Sequence, residues 1–517
     1  MELTEEQQRV VVVRDEQPQK GREAQMHNIR AAKAVADTVR STLGPAGMDK
    51  MMVDGHGNVI VTNDGATILR ELDVAHPGAK MVIDMAKTQE SVCYDGTTST
   101  VVLGGQLLGN SEQLFQKGLH PNVVCRGFHQ ASRWAVEHAQ SLPTGSVSLN
   151  DVARTAMTGK TVEHAIDKAA DLCVSAVTDA QGDPKKVRVV CQPGGSMEES
   201  HLFPGIILQK EFVFPSTGVK NACLLVNTGF EPEKGQPGPG IQFSSAKEAK
   251  QFYTDQTRNV LLDSAKTVIE AMPDGGVLFA RDGVHELIAK HLSDAGIDVV
   301  RRVMESDMIA LSNMLAMPIA HEPSDIPASV ATGIGEFKIS IREDTIGDMK
   351  FVVVEGSPEH VSTLVLRGAT RATLDEYERA FEDAIGVTSL AFKDGKVVSG
   401  GGSAYISMAH HLRTRAADMG GREQMAVEAF AEALEIIPAT IAENAGHDPL
   451  DTILALRNDH ANGQIESGPD VENGGTCSMA DKSVFEPLSV VTQSVQSATE
   501  VAISILRIDD IISKRAA

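Results

Sequence analysis

Aromatic residues make up only 4% of this 517-residue chain, and its 47 Lys and Arg are outnumbered by 70 Asp and Glu, a formal charge of −23. A protein that coats nucleic acid or an anionic membrane needs a basic face, and base stacking needs aromatics, so neither partner is expected. Cysteine is scarce too. Cys93, Cys125, Cys173, Cys191, Cys223 and Cys477 form no CxxC pair, which fits a reducing compartment and argues against a zinc site or a disulfide framework. No apolar run approaches the roughly 18–20 residues that span a bilayer. The first ten residues are acidic and polar, unlike a secretory signal, and the last four match no lipidation box. The expectation is a soluble cytoplasmic protein. GxxxxGK[ST] and HExxH are both absent, and His410-His411 reads as a solvated pair.

What is present is a globular composition, 42% hydrophobic and 23% charged, over a length that predicts two to four domains. Met26, Ile29, Ala32, Val35, Val39 and Leu43 recur at helical spacing and stop at Gly44-Pro45. Val59-Ile60-Val61-Thr62 reads as a strand that breaks at Asn63-Asp64-Gly65, placing Asp64 at a strand-to-helix turn. A second turn, Tyr94-Asp95-Gly96-Thr97-Thr98-Ser99, opens a helix over 101–108. In the middle of the chain 203–208, 222–226 and 276–280 read as strands and 284–291 as a helix, a mixed α/β pattern. Residues 231–240, rich in Gly and Pro, read as a linker, followed by a polar helical stretch with Phe243, Phe252 and Tyr253. Val427, Phe430, Leu434 and Ile437 predict a helix ended by Pro438, with Glu428, Glu432 and Glu435 on its solvated side.

Asp95-Gly96-Thr97-Thr98-Ser99 suits a phosphate: glycine admits close backbone approach, amides at a helix start face the anion, and an adjacent Asp can hold Mg2+. Taken alone, the same string also begins ordinary turns. Gly400-Gly401-Gly402 is a second close-approach site or a flexible hinge. Asp64 and Asp383 have the chemistry to orient a water in phosphoryl transfer, or to serve as a cap and a surface acid. Lys160 is either a phosphate contact or an exposed lysine.

Together these residues resemble the group II chaperonins, the archaeal thermosomes and the eukaryotic cytosolic ring, over nearly the whole chain. The resemblance rests on Thr42-Leu43-Gly44-Pro45-Ala46-Gly47-Met48-Asp49-Lys50-Met51, Thr62-Asn63-Asp64-Gly65-Ala66-Thr67-Ile68-Leu69 and Asp95-Gly96-Thr97-Thr98-Ser99. It continues through Met157-Thr158-Gly159-Lys160, Arg301-Arg302-Val303, Glu382-Asp383-Ala384, Gly400-Gly401-Gly402, Ala442-Glu443-Asn444-Ala445-Gly446, Ala498-Thr499-Glu500 and Ile505-Leu506-Arg507-Ile508-Asp509-Asp510. The archaeal type fits best.

The resemblance implies a multidomain α + α/β chaperonin fold. Residues 1–144 and 402–517 would form a helical equatorial ATP-binding domain, 145–212 and 368–401 a small hinge domain, and 213–367 an α/β apical domain that grips substrate. A helical protrusion over about 231–258 would act as a built-in lid, without a separate co-chaperonin. It further implies that Leu43, Gly44, Pro45, Gly96, Thr97, Thr98, Ser99, Gly159, Lys160, Gly401 and Glu486 surround ATP, with Lys160 at the terminal phosphate and Glu486 at the ribose and base. Asp95 would hold Mg2+, and Asp64 and Asp383 would position the attacking water. Identical or sister subunits would stack in rings around non-native client proteins, and no nucleic acid or membrane is involved.

The chain departs from the family pattern in three places. Tyr94 stands where the family has Gly, a strained choice if that backbone needs positive φ. Tyr405 stands near a usual acidic residue, which is expected to alter a contact between neighbouring subunits. The end after Asp510 lacks the Gly-Gly-Met tail of many relatives. The leading expectation is therefore an ATP-driven folding chamber. A divergent ring subunit that binds ATP as a scaffold or adaptor, with weak turnover, is the alternative, and a metabolic kinase would lack any defined small-substrate pocket.

Overall fold

The computed structural model describes residues 21–53, 57, 59–143, 148–215, 218–231, 262–263, 265–321, 325–326, 339–346, 349–356 and 361–510. The chain divides into two compact units, Met1–Ala170 with Arg379–Ala517, and Asp171–Glu378. Both stretches expected to form a hinge, 145–212 and 368–401, are shared between them.

The first arm of the first unit opens with helix α1 (Arg22–Arg40), then the antiparallel hairpin β1 (Lys50–Val53) and β2 (Val59–Thr62), with Met51 opposite Val61. Helices α2 (Gly65–Glu71), α3 (Pro77–Cys93), α4 (Thr97–Gln116), α5 (Pro121–Ala139) and α6 (Leu149–Met157) follow. α1 buries Ile29, Ala32, Val35 and Val39 of the predicted stripe, with Ala36 beside them, while Met26 is half-buried and Leu43 falls beyond the helix end at Arg40. Proline begins α3 and α5, where a missing N–H breaks no helical bond, and in each the preceding histidine (His76 or His120) accepts from a first-turn amide.

Helix α7 (Ile166–Asp179) leads into the second unit, whose described residues form three small sheets. β3 (Val187–Pro193), β4 (His201–Phe203) and β5 (Ile206–Leu208) come first, then β6 (Cys223–Val226), β7 (Gly276–Ala280), helix α8 (Glu286–Asp294), β8 (Ile297–Val300) and helix α9 (Glu305–Leu315). β9 (Ser340–Ile346), β10 (Met349–Glu355) and β11 (Ser362–Gly368) complete it. The β6-β7-β8 sheet is all parallel and buried on both faces. Cys223, Leu225, Val277 and Phe279 pack to one side, and Leu224, Val226, Leu278 and Ala280 to the other.

The single strand expected over 203–208 is two strands. β4 pairs with β11 and β5 with β10, because Gly205 turns the chain at φ 142°. A Cβ there would lie 2.3 Å from Val354 O, so only glycine fits.

Helix α10 (Arg371–Asp394) brings the chain back to the first unit, followed by β12 (Val397–Ser399) and helices α11 (Ser403–Ala417), α12 (Glu423–Leu434), α13 (Ile436–Asn444) and α14 (Pro449–Ala461). The hairpin β13 (Ser467–Pro469) and β14 (Thr476–Ser478), strand β15 (Phe485–Pro487) and helix α15 (Leu488–Leu506) close the unit. One apolar core joins α1, α3, α4, α5, α11, α12 and α15, with Phe128 set edge-on to Phe430 at 5.6 Å. Among the described residues, no helix is long and apolar enough to cross a membrane.

Tertiary packing overturns several local expectations. Pro438 does not end the α12 helix: the break falls at Glu435, and Pro438 lies in the first turn of α13, where a proline costs no hydrogen bond. Glu435 is not solvated, being 4% exposed and gripped by Arg413 and Arg457, whereas Glu428 and Glu432 are exposed as expected. Tyr405 is 2% exposed and packs inside the helical core. His411 is not simply solvated, since its ring stacks on His138 at 4.3 Å. None of the six cysteines forms a disulfide, and four are buried.

Candidate nucleotide site

The turn after β2 shapes the first part of the site. Asp64 caps α2, its Oδ1 accepting from Ala66 N at 3.2 Å and its Oδ2 from Thr67 N at 2.8 Å, a bond set worth about 1 kcal/mol. Gly65 then lies so close to the next loop that a Cβ would sit 2.3 Å from Thr98 Oγ1. The 64–65 and 97–98 segments are thereby packed together.

That next loop runs from Tyr94 to Ser99. Tyr94 ends α3 in the left-handed region, φ 60° and ψ −3°, the strained conformation that its motif position foreshadows. A side chain there costs roughly 1–2 kcal/mol relative to the right-handed region. Gly96 caps α4 at φ 75° with no side-chain cap, so the first amides of α4, at Thr97, Thr98 and Ser99, stand at a helix start without side-chain partners from the cap. Gln89, fully buried, braces the loop by donating to Asp95 O at 3.0 Å and Val490 O at 3.3 Å. The Asp95 carboxylate accepts from Gly96 N at 2.6 Å.

The 43–45 and 157–160 loops meet through glycine. A Cβ on Gly159, at φ 77°, would lie 3.0 Å from Pro45 Cα and 3.2 Å from Gly44 O. Asn63 Nδ2 donates to Gly159 O at 2.7 Å, and Asn444 Nδ2 to Leu43 O at 2.8 Å. Lys160 then reaches Asp383 on α10, Nζ to Oδ2 2.5 Å, with the two side chains 21% and 25% exposed.

Electrostatics tie these groups together. Burial by itself disfavours the Lys160 charge, yet Asp383, Asp95 and Asp64 together hold its pKa above the ordinary lysine value. Burial pushes Asp383 up to about 7, with Asp64 and Asp95 adding to the rise and Lys160 opposing it. Glu486, opposite Val398 in the β12–β15 pair, is pushed up to about 8, first by burial and second by the Asp95 charge. Burial and then the Glu486 charge also raise the Tyr405 hydroxyl.

Leu43, Gly44, Pro45, Asp64, Asp95, Gly96, Thr97, Thr98, Gly159, Lys160 and Asp383 are thus linked by contact, hydrogen bond or charge, and Ser99 follows in the first turn of α4. Gly401, at φ 60°, instead faces Met479, whose Sδ would be 2.4 Å from a Cβ, and it joins the set only through its neighbours at the β12–β15 pair. Gln89 and Asn63 are not anticipated by the sequence as site residues. Gln89 sits within an ordinary amphipathic helix and Asn63 within a turn, so nothing local announces either.

The donor set fits a magnesium nucleotide. Three carboxylates around one ammonium leave a negative excess suited to a divalent cation, and an uncapped helix start suits phosphate oxygens. The segments expected to form the lid, 232–258, lie outside the described residues.

The family model of the TCP-1/cpn60 chaperonins matches residues 35–516. A thermosome subunit of Methanopyrus kandleri is 42% identical over 513 residues, 96% of this chain and 93% of that one. Thermosome subunit beta of Archaeoglobus fulgidus is 41% identical and thermosome subunit alpha of Thermoplasma acidophilum 39%, each over 96% of this chain and 93% of its own length. The chain belongs to the TCP-1/cpn60 chaperonin family, as an archaeal-type group II subunit.

Proposed function

We propose that this chaperonin subunit hydrolyses ATP at the cluster around Lys160, and that hydrolysis drives enclosure of non-native proteins. The carrying observation is the convergence of Asp64, Asp95 and Asp383 on Lys160 beside the glycine-capped start of α4. Asp95 would hold Mg2+, which when bound neutralises phosphate charge and fixes phosphate orientation. The α4 amides with Thr97, Thr98 and Ser99 would take phosphate oxygens, and Leu43, Gly44, Pro45 and Gly159 would give backbone close approach. Gly401 and Glu486 would border the ribose and base. Lys160 would offer its ammonium to the terminal phosphate. Asp64, its oxygens already oriented by backbone amides, and Asp383, with a pKa raised toward neutrality, would orient a water and accept its proton.

In this reading the chain would have the equatorial, hinge and apical division set out from the sequence, and identical or sister subunits would stack in rings around a client chamber closed by a protrusion over about 231–258. Neither nucleic acid, membrane nor a separate lid protein takes part. The test is the Mg-ATP hydrolysis rate of the purified ring-sized fraction beside Asp383→Ala prepared alike. Turnover that falls about a hundredfold or more in the variant is expected. Assembled rings with negligible parental turnover would overturn the reading in favour of an ATP-binding scaffold.

A further inference from the structure

Tyr94 precedes Asp95 directly and keeps its left-handed backbone while its N–H donates to Glu90 O at 2.9 Å. Its ring faces Gly386. A Cβ built on Gly386 would fall 2.1 Å from Tyr94 Cγ and 2.5 Å from both Cβ and Cδ1, distances no packed atom adopts. Gly386 is buried in the interior of α10, where glycine is disfavoured relative to alanine. Neither the strained tyrosine nor the mid-helix glycine has a local reason. Each is explained by the other, because the bare backbone of Gly386 is what makes room for the Tyr94 ring.

Asp383 lies three residues before Gly386, on the same face of the same helix. Tyr94 is therefore joined through its backbone to one carboxylate of the site and through its ring to the helix that carries another. We propose that Tyr94 is a positioning residue whose ring, seated on Gly386, fixes the place of Asp383 relative to Asp95. This rests on the assignment of those two carboxylates to ATP hydrolysis.

Tyr94→Gly is the discriminating variant, since glycine is unstrained at φ 60° and folding should not suffer. With Mg-ATP varied, kcat is expected to fall about tenfold in Tyr94→Gly while KM changes less than about twofold, and Tyr94→Phe should keep the parental kcat. Gly386→Ala, which drives a methyl into the ring, should lower kcat in the parent and lower it no further in the Tyr94→Gly background. Thermal melting is read in parallel. An unchanged kcat in Tyr94→Gly, an equal effect of Gly386→Ala with and without the ring, or a kcat loss that tracks a lower melting temperature would each overturn the positioning role. A parent chain that does not hydrolyse ATP would overturn the assignment beneath it, and this role with it.

Discussion

Lys160 Nζ lies 2.5 Å from Asp383 Oδ2, so the cation assigned to the terminal phosphate and a carboxylate assigned to the water are each other's partner. Burial pushes the Asp383 carboxyl up to about 7, and only its ionised form can accept a proton. Because kcat/KM reports the free protein, it should rise with pH and level off above about 7, standing roughly tenfold below the plateau at pH 6. Asp383→Asn should remove that limb along with most of the rate. Lys160→Met, which removes the opposing positive charge, should move the limb to higher pH.

Asp64 combines two duties that a pair of substitutions separates. Asparagine keeps one acceptor oxygen for the Ala66 or the Thr67 amide, its NH2 being unable to take the other, whereas alanine leaves both without a side-chain acceptor. Asp64→Asn is expected to cost little stability and Asp64→Ala about 1 kcal/mol, measured by urea unfolding. Both should lose turnover, since neither carries the charge.

Gly159→Ala should act on affinity. Its positive φ strains any side chain, and the new methyl would press on the Pro45 backbone and Gly44 O, which cannot swing aside as a flexible side chain would. Nucleotide affinity, measured by calorimetry, is expected to fall about tenfold with the fold retained.

Glu435 predicts an acid-sensitive step in stability. Burial alone would raise its pKa, but Arg457 Nε at 2.7 Å from Oε1 and Arg413 at 2.7 Å from Oε2, with their further bonds, hold it below the usual glutamate value. A depressed folded pKa means that the group's stabilisation is complete above the unfolded value near 4.5 and is lost as pH falls through the folded one. The melting temperature should therefore drop on acidification below about pH 4.5. Glu435→Gln should weaken that dependence and cost roughly 2–3 kcal/mol at pH 7, toward the low end for a buried pair because both arginines are partly exposed.

Features governed by neighbours in sequence are legible from the residues alone. The α1 stripe, the β2 strand, the Asp64 cap and the glycine-opened α4 depend on periodicity, capping and allowed φ, which a few adjacent residues set. Even the left-handed backbone at Tyr94 is foreshadowed by its motif position. Tertiary packing decided the rest. A glutamate at the end of a helical stripe becomes buried only because Arg413 and Arg457 arrive from two other helices. A glutamine in α3 becomes a brace only because Val490, some four hundred residues away in the chain, stands beside it. A mid-helix glycine acquires a purpose only where the Tyr94 ring lands on it. Local sequence limits which conformations each segment can adopt, but the close approach of groups remote in the chain is fixed by the packing of whole helices, and no short window of residues encodes that.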